Sequence, residues 1–384
     1  MSTVHTTPTG QVRTAGERPT PPAAPTATPR RSARRHLTKL ALVVVVVALA
    51  LAPKLALTVP GVLPGPTYSP GTLQLLAVCL LVGALAVTYH LLFGVAGMLS
   101  FGHALYFAVG VYGFAIALQT WHLSLLPAAV VTLAIGALTS LVVGAVSLRV
   151  SGIAFAMVTL AFAQAGSLLV YRNIGGRTGG EEGLGLSGAR LPDALLGVVN
   201  TANLYWLALA VTVVVVAAVG WVAASRVGAM MVAVRENELR VRVLGVRPYV
   251  VRLVAFVASG TLATVVGMGY LLVQGGANPR ITTTSFTLSL LVMVVLGGLG
   301  SRWGALAGGV LYTLLDQRLG VLASSTTVTS LPDVLRVPLS QPLFLLGALF
   351  VLVVLFVPGG LAALVGRVAS VRSRVAGRRD PVAP

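Results

Sequence analysis

Ten apolar stretches constrain this chain more than any other feature: about 38–58, 72–93, 101–119, 124–147, 152–171, 203–223, 250–273, 286–300, 303–320 and 340–361. A helix needs roughly 20 apolar residues to cross a bilayer. Inside hydrocarbon every backbone amide and carbonyl must find a protein partner, which leaves helices and closed barrels. The stretches are continuously apolar rather than alternating, so a barrel does not fit. Charged residues make up 9% of the chain, against about 25% in an average soluble domain. The expected fold class is an all-α polytopic membrane protein of about ten transmembrane helices, with broken or re-entrant elements.

The charges predict an orientation. The formal net charge is +18, but the basic residues flank apolar stretches as orientation signals do, which argues against nucleic acid as a partner. Residues 1–37, rich in Pro, Thr and Arg, cannot bury a core and read as a disordered basic cytoplasmic tail. A signal peptide is the competing reading; the length of that tail and the renewed hydrophobicity at Leu55 count against it. Residues 38–362 form the transmembrane domain and 363–384 a second basic cytoplasmic tail. Two basic tails on one side require an even number of spans. Ten spans place Arg226, Arg235, Arg240, Arg242 and Arg247 inside, and the mixed-charge loop at 172–202 outside. Eight spans with two re-entrant segments fit the same signs. The single cysteine, Cys79, lies in an apolar run and reads as a small buried hydrophobe.

Residues 93–113, FGVAGMLSFGHALYFAVGVYG, break the apolar pattern. Gly94 and Gly97 permit an unwound segment, Ser100 suits the N-cap of a new helix, and His103 falls at its third position. Unwound backbone at membrane depth is tolerated where it is buried in protein or lines a watery cavity. The stretch, Gly102 included, is therefore either part of a solute path or a place where small residues let helices pack closely. His103 suits a structural role best. A weak internal similarity relates 97–112 to 297–312 through Gly97/Gly297, Leu99/Leu299 and Tyr112/Tyr312. Gly300, Gly304 and Gly308 have the four-residue spacing of a packing face.

The loop GGRTGGEEGLG at 175–185 has glycines but no lysine, no preceding strand and no following helix pattern. It reads as a mobile loop at the outer mouth rather than a phosphate cradle. The segment at 225–248 pairs Glu236 with Arg240 and Glu238 with Arg242 at i,i+4, with Leu239 and Val243 on one face. Gly245 and Pro248 mark its end. The spacing predicts one short amphipathic helix at about 228–246, suited to a groove in a partner protein.

The two lysines, Lys39 and Lys54, follow no glycine-rich loop, so the chain has no nucleotide-binding P-loop. No metal-ligand spacing and no GxSxG nucleophile motif occur either. The spans are nearly free of carboxylates, Asp316 being the main exception, which counts against a stand-alone ion-driven carrier or channel.

Taken together, GVAGMLSFGHALYFAVGVY at 94–112, VTLAFAQ at 158–164, TGGEEGL at 178–184, AVRENELRVRVLGV at 233–246 and MVVLGGLGSRWGALAG at 293–308 are specific. The chain resembles the permease subunits of bacterial ATP-binding-cassette importers for branched-chain amino acids, of the LivM type, over roughly residues 70–361. The resemblance implies a multi-pass permease of the bacterial plasma membrane with both termini cytoplasmic, moving branched-chain or other hydrophobic amino acids inward by alternating access. It implies a LivH-like second permease, two ATPase subunits that use the ATP, an extracellular solute-binding protein, surrounding lipid, and no cofactor or metal on this chain. It makes Arg235, Glu236, Asn237, Glu238, Leu239 and Gly245 the contact to an ATPase. Gly94, Gly97, Ser100, Gly102 and His103, with Gly297, Gly298, Gly300 and Gly304, become path or packing elements, and Thr178, Gly179, Gly180 and Gly183 an outer-loop motif. Two acidic residues, Glu181 and Glu182, stand where a small residue is common in the family. Importers of urea or short amides share most of these motifs, so they are the alternative within the class. Nothing in the pattern makes the chain itself an enzyme.

Overall fold

A computed structural model describes residues 44–58, 63–186, 191–195, 200–323, 341–356 and 359–363. The expected tails at 1–37 and 363–384 lie outside the described residues, apart from Ala363. The described residues from Leu49 onward form one compact unit.

Twelve helices carry the described fold. They are α1 (Val44–Lys54), α2 (Pro70–His90), α3 (His103–Gln119), α4 (Leu125–Ser147), α5 (Ile153–Tyr171) and α6 (Thr201–Ala224). After them come α7 (Arg226–Glu236), α8 (Glu238–Val243), α9 (Pro248–Gln274), α10 (Thr284–Gly297), α11 (Arg302–Ala323) and α12 (Pro342–Phe356). Each of the ten apolar stretches is helical among the described residues. Five helices, α2 with its extension to Val95, α4, α5, α6 and α9, are long and apolar enough to cross a membrane alone. The short α7 and α8 lie between α6 and α9. The one sheet among the described residues pairs β1 (Leu184–Gly185) with β2 (Gly276–Ala277), antiparallel, Leu184 opposite Ala277.

The core forms around α2, which packs against α6, α9, α10 and α11. Its most apolar window is 89% buried, against 28% for α4 and for α5. A helix covered on every side needs no polar face, and α2 from Ala77 to His90 is buried at every position. Close approach requires small residues. A Cβ on Gly309 of α11 would meet Gly83 Cα of α2 at 2.7 Å, and a Cβ on Gly308 would meet Gly297 Cα of α10 at 2.8 Å. Gly304 likewise faces the Gly297 backbone. Gly300 departs from the expected packing face. It stands in the turn before α11 with nothing within 4 Å of a Cβ, because the four-residue spacing extends past the helix's first residue, Arg302. The two weakly similar stretches both fall on helix–break–helix corners, 96–102 and 298–301.

Candidate functional site

The interruption at 93–113 is a true break. The helix α2 widens into a π turn at Leu91–Val95, the chain runs unwound through 96–102, and α3 starts at His103. Gly97 has φ +71°, a left-handed conformation that side chains disfavour. Gly94 faces the His90 ring and the Leu299 carbonyl, leaving no room for a Cβ. Gly102 lies against the Thr159 carbonyl, where a Cβ would approach to 2.6 Å.

Two details differ from the sequence expectation. Gly102, not Ser100, holds the N-cap position, so His103 is the first helical residue rather than the third. Ser100 instead accepts a hydrogen bond from Gly102 N at 3.2 Å. The reason is that the Ser100 hydroxyl closes a turn two residues on, a local bond that serine makes in competition with helix capping.

Side chains from neighbouring helices satisfy the exposed backbone. Tyr89 Oη donates to Ser100 O at 3.0 Å, Phe101 N donates to Thr159 Oγ1 at 3.1 Å, and Ala104 N donates to Thr287 Oγ1 at 3.3 Å. Ser100 and His103 are fully buried. The Thr88 hydroxyl donates its one proton to Leu85 O at 2.7 Å, so the contact of 2.9 Å between Thr88 Oγ1 and His103 Nε2 needs the proton on Nε2. His103 Nδ1 is then a buried acceptor without a partner among the described residues. This geometry gives His103 a packing and hydrogen-bonding role.

The break is tied to the α6–α9 connection. Arg235, near the end of α7, donates through Nη1 to the Gly94 carbonyl. Its stem lies over Gly97, where a Cβ would meet Arg235 Cγ at 2.6 Å. Arg235 also lines a cavity of about 580 Å³ together with Gly97, Met98, Phe101, Phe155 and Arg252.

The expected single helix at 228–246 is two. Asn237 is extended (φ −156°, ψ 99°) and separates α7 from α8. Its Oδ1 accepts from Arg240 N at 3.0 Å, the N-cap bond of α8. The break puts Glu236 and Arg240 on different helices, and they do not pair. Glu238 pairs with Arg242 as expected and also with Arg252 of α9 at 2.7 Å. Burial alone would raise the Glu238 carboxyl, but the Arg252 charge and hydrogen bonds from Arg242 and Arg252 hold it below the ordinary carboxylate range. Gly245 takes φ +81° and ends α8, with Val246 N bonded to Val241 O at 3.3 Å and Gly245 N to Arg242 O at 2.9 Å. Leu239, Val243 and Leu244 are 71%, 88% and 80% exposed, an apolar face that no other described residue covers.

At the far ends of the spans, the 172–186 loop is tied down rather than loose. Asn173 Oδ1 accepts from Thr178 N at 2.9 Å and Gly179 N at 3.1 Å, and the Thr178 hydroxyl donates to Val170 O at 2.8 Å. A Cβ on Gly180 would meet Asn173 Cβ at 3.5 Å, and Gly183 lies against the Ala277 carbonyl beside the two-stranded pairing. Sequence reasoning missed Asn173, whose positive φ of 48° places it in a turn.

A bundle of apolar helices around a largely buried central one, with a broken helix gripped by a connection between spans, defines a multi-pass α-helical membrane protein. Residues 71–357 match the family described as branched-chain amino acid transport system / permease component, and the chain belongs to that family. It is 26% identical over 270 residues to the high-affinity branched-chain amino acid transport system permease protein LivM of Escherichia coli (strain K12), covering 64% of this chain and 63% of that one. It is 25% identical over 268 residues to the protein of the same description from Salmonella typhimurium (strain LT2), with the same coverage. The match thus spans slightly less than two thirds of these relatives' own length. No solved structure matches the chain.

Proposed function

We propose that this chain is the membrane-spanning permease subunit of an ATP-binding-cassette importer that brings branched-chain or other hydrophobic amino acids into the cell. The observation that carries the reading is the Arg235 bridge: the α7–α8 connection holds the broken α2–α3 corner directly, through Gly94 and Gly97. An element that protrudes between spans, exposes Leu239, Val243 and Leu244, and grips a helix break is built to convert a push from outside the membrane into movement within it. The pusher is a pair of ATPase subunits, which supply the ATP chemistry. Arg235, Glu236, Asn237, Glu238, Leu239 and Gly245 form the transmitting element. A second, LivH-like permease and an extracellular solute-binding protein complete the assembly in a bacterial plasma membrane, with both termini cytoplasmic. The family and its relatives support the solute class.

The test is uptake of radiolabelled leucine at low concentration by a strain lacking this gene. The expected result is loss of uptake, restoration by the wild-type chain, and competition by unlabelled isoleucine and valine but not by urea. Loss of urea uptake with leucine uptake intact would contradict the solute class.

A further inference from the structure

The outward faces of the spans are not alike. On α4 the exposed residues are Leu126, Pro127, Val130, Ala134, Leu138, Leu141, Val142 and Val146, all apolar. On α6 the exposed residues from Trp206 to Ala224 are likewise apolar. Such faces suit lipid. The face shared by α5 and α10 differs. Gln164 and Ser285 are exposed on it, and Thr284 and Ser289 are half-buried beside them. Gln164 lies roughly 16 Å along a helix of roughly 28 Å, counting 1.5 Å per residue, which is well inside an apolar span. An amide and several hydroxyls facing hydrocarbon at that depth would each lose their water without replacement, which is unfavourable.

The row is only partly satisfied within the chain. Gln164 Nε2 donates to Thr284 Oγ1, Tyr312 Oη donates to Ser289 Oγ at 3.0 Å, and Ser289 Oγ bonds to Ser285 O at 3.1 Å. Gln164 Oε1 and the Ser285 hydroxyl have no protein partner among the described residues. The helix α10 has only 14 residues and begins beside Gln164 instead of at the end of α5, and its N-cap Thr283 makes no capping bond. Leu168, one turn from Gln164, is 57% exposed, and Leu288, one turn from Ser285, is 45% exposed.

We propose that this face, with Gln164, Thr284, Ser285 and Ser289 in a row and Leu168 and Leu288 alongside, is the wall of the water-filled solute path. The proposal rests on the importer reading given above and adds the groups that meet the solute. Neutral amide and hydroxyl groups offer donors and acceptors without net charge. They match a zwitterion, whose ammonium and carboxylate cancel, better than a cationic or anionic solute. The two leucines offer apolar surface to an aliphatic side chain. The face does not meet lipid, and it is not sealed dry against a partner.

Cysteine accessibility tests this in cells carrying the complete transport system. The native Cys79 is 1% exposed and gives a silent background, checked with Cys79→Ser. Gln164→Cys and Ser285→Cys are compared with Leu138→Cys on α4 and Val214→Cys on α6, using a charged, membrane-impermeant methanethiosulfonate reagent. The expected result is modification of the first pair at least tenfold faster than the second, slowed several-fold by saturating leucine. Equal, slow modification of all four would overturn the path wall, whether lipid or a dry interface covers the face. Fast modification that leucine leaves unchanged, in cells that do take up leucine, would overturn the solute contact. Failure of the parent strain to take up leucine would instead count against the proposed function, while the labelling contrast would still decide the wall. As a second readout, Ser285→Ala raises KM for leucine several-fold with the amount of protein in the membrane unchanged; an unaltered KM contradicts the contact.

Discussion

Arg235 and Gly94 are 141 residues apart in sequence, and the guanidinium of one donates to the carbonyl of the other. That carbonyl sits in the π turn where α2 stops being an α-helix. A long-range bond to a backbone group at a helix break is well placed to transmit motion, because the helix has no internal partner to offer in its stead.

Replacing Arg235 by alanine removes this bond and the stem over Gly97. A hydrogen bond to a charged group contributes about 1.5 kcal/mol or more, so the α7–α8 unit is expected to detach from the break roughly tenfold more often. The check is hydrogen exchange of amides 94–102 in the purified chain, which rises in the variant while α2 before Leu91 stays protected.

Gly97→Ala forces an alanine into φ +71° and presses its Cβ against Arg235 Cγ. The left-handed conformation alone costs about 1–2 kcal/mol. A double-mutant cycle with Arg235→Ala separates the two effects. The steric part is relieved when Arg235 is shortened and the conformational part remains, as read from thermal unfolding in detergent.

Asn237→Ala deletes the N-cap of α8, worth about 1 kcal/mol. The expected result is faster exchange of amides 240–243 with α7 unchanged. Equal protection of α8 in both proteins would show that tertiary contacts alone hold it.

Glu238 supplies a pH signature. Its folded-state pKa is depressed, so the stability it contributes is fully present above the ordinary carboxylate pKa and is lost as pH falls through the lowered value. Docking of α8 on Arg252 is expected to weaken on acidification below the usual carboxylate range. Glu238→Gln removes that dependence and is less stable than wild type at neutral pH. Thermal unfolding measured in both proteins from neutral pH down to below the usual carboxylate range checks the sign.

Gly308→Leu places a branched side chain where Gly297 Cα would already lie 2.8 Å from a Cβ. Overpacking costs about 1–3 kcal/mol, and here it forces α10 and α11 apart. Lower yield of folded protein is expected, whereas Gly300→Leu, which meets nothing within 4 Å, is tolerated.

Local features of this fold were legible in sequence and distant ones were not. The apolar stretches mark the long helices among the described residues because hydrophobic length depends on nearby residues alone. The break at 96–102 is visible because Gly97 needs a left-handed backbone, and the end of α8 is visible because Gly245 and Pro248 act locally. The split at Asn237 was hidden by a conflicting local signal: the i,i+4 pairs Glu236/Arg240 and Glu238/Arg242 run across it and favour one helix. Asn237 as a cap for Arg240 N outweighs the first pair, and Arg252, 14 residues from Glu238, reinforces the second. The Arg235–Gly94 bond and the meeting of Gln164 with Thr284, 120 residues apart, arise only from packing. VTLAFAQ shows a glutamine in an apolar run, but which way it faces depends on how α5 and α10 meet.

The proposed role of Arg235 is to carry the push of the ATPase subunits to the broken helix. It is tested most directly by measuring ATP hydrolysis and leucine transport together in proteoliposomes holding the complete importer, with wild-type or Arg235→Ala permease. The variant is expected to assemble and hydrolyse ATP while transport per ATP falls about tenfold. An unchanged ratio of transport to hydrolysis would contradict it.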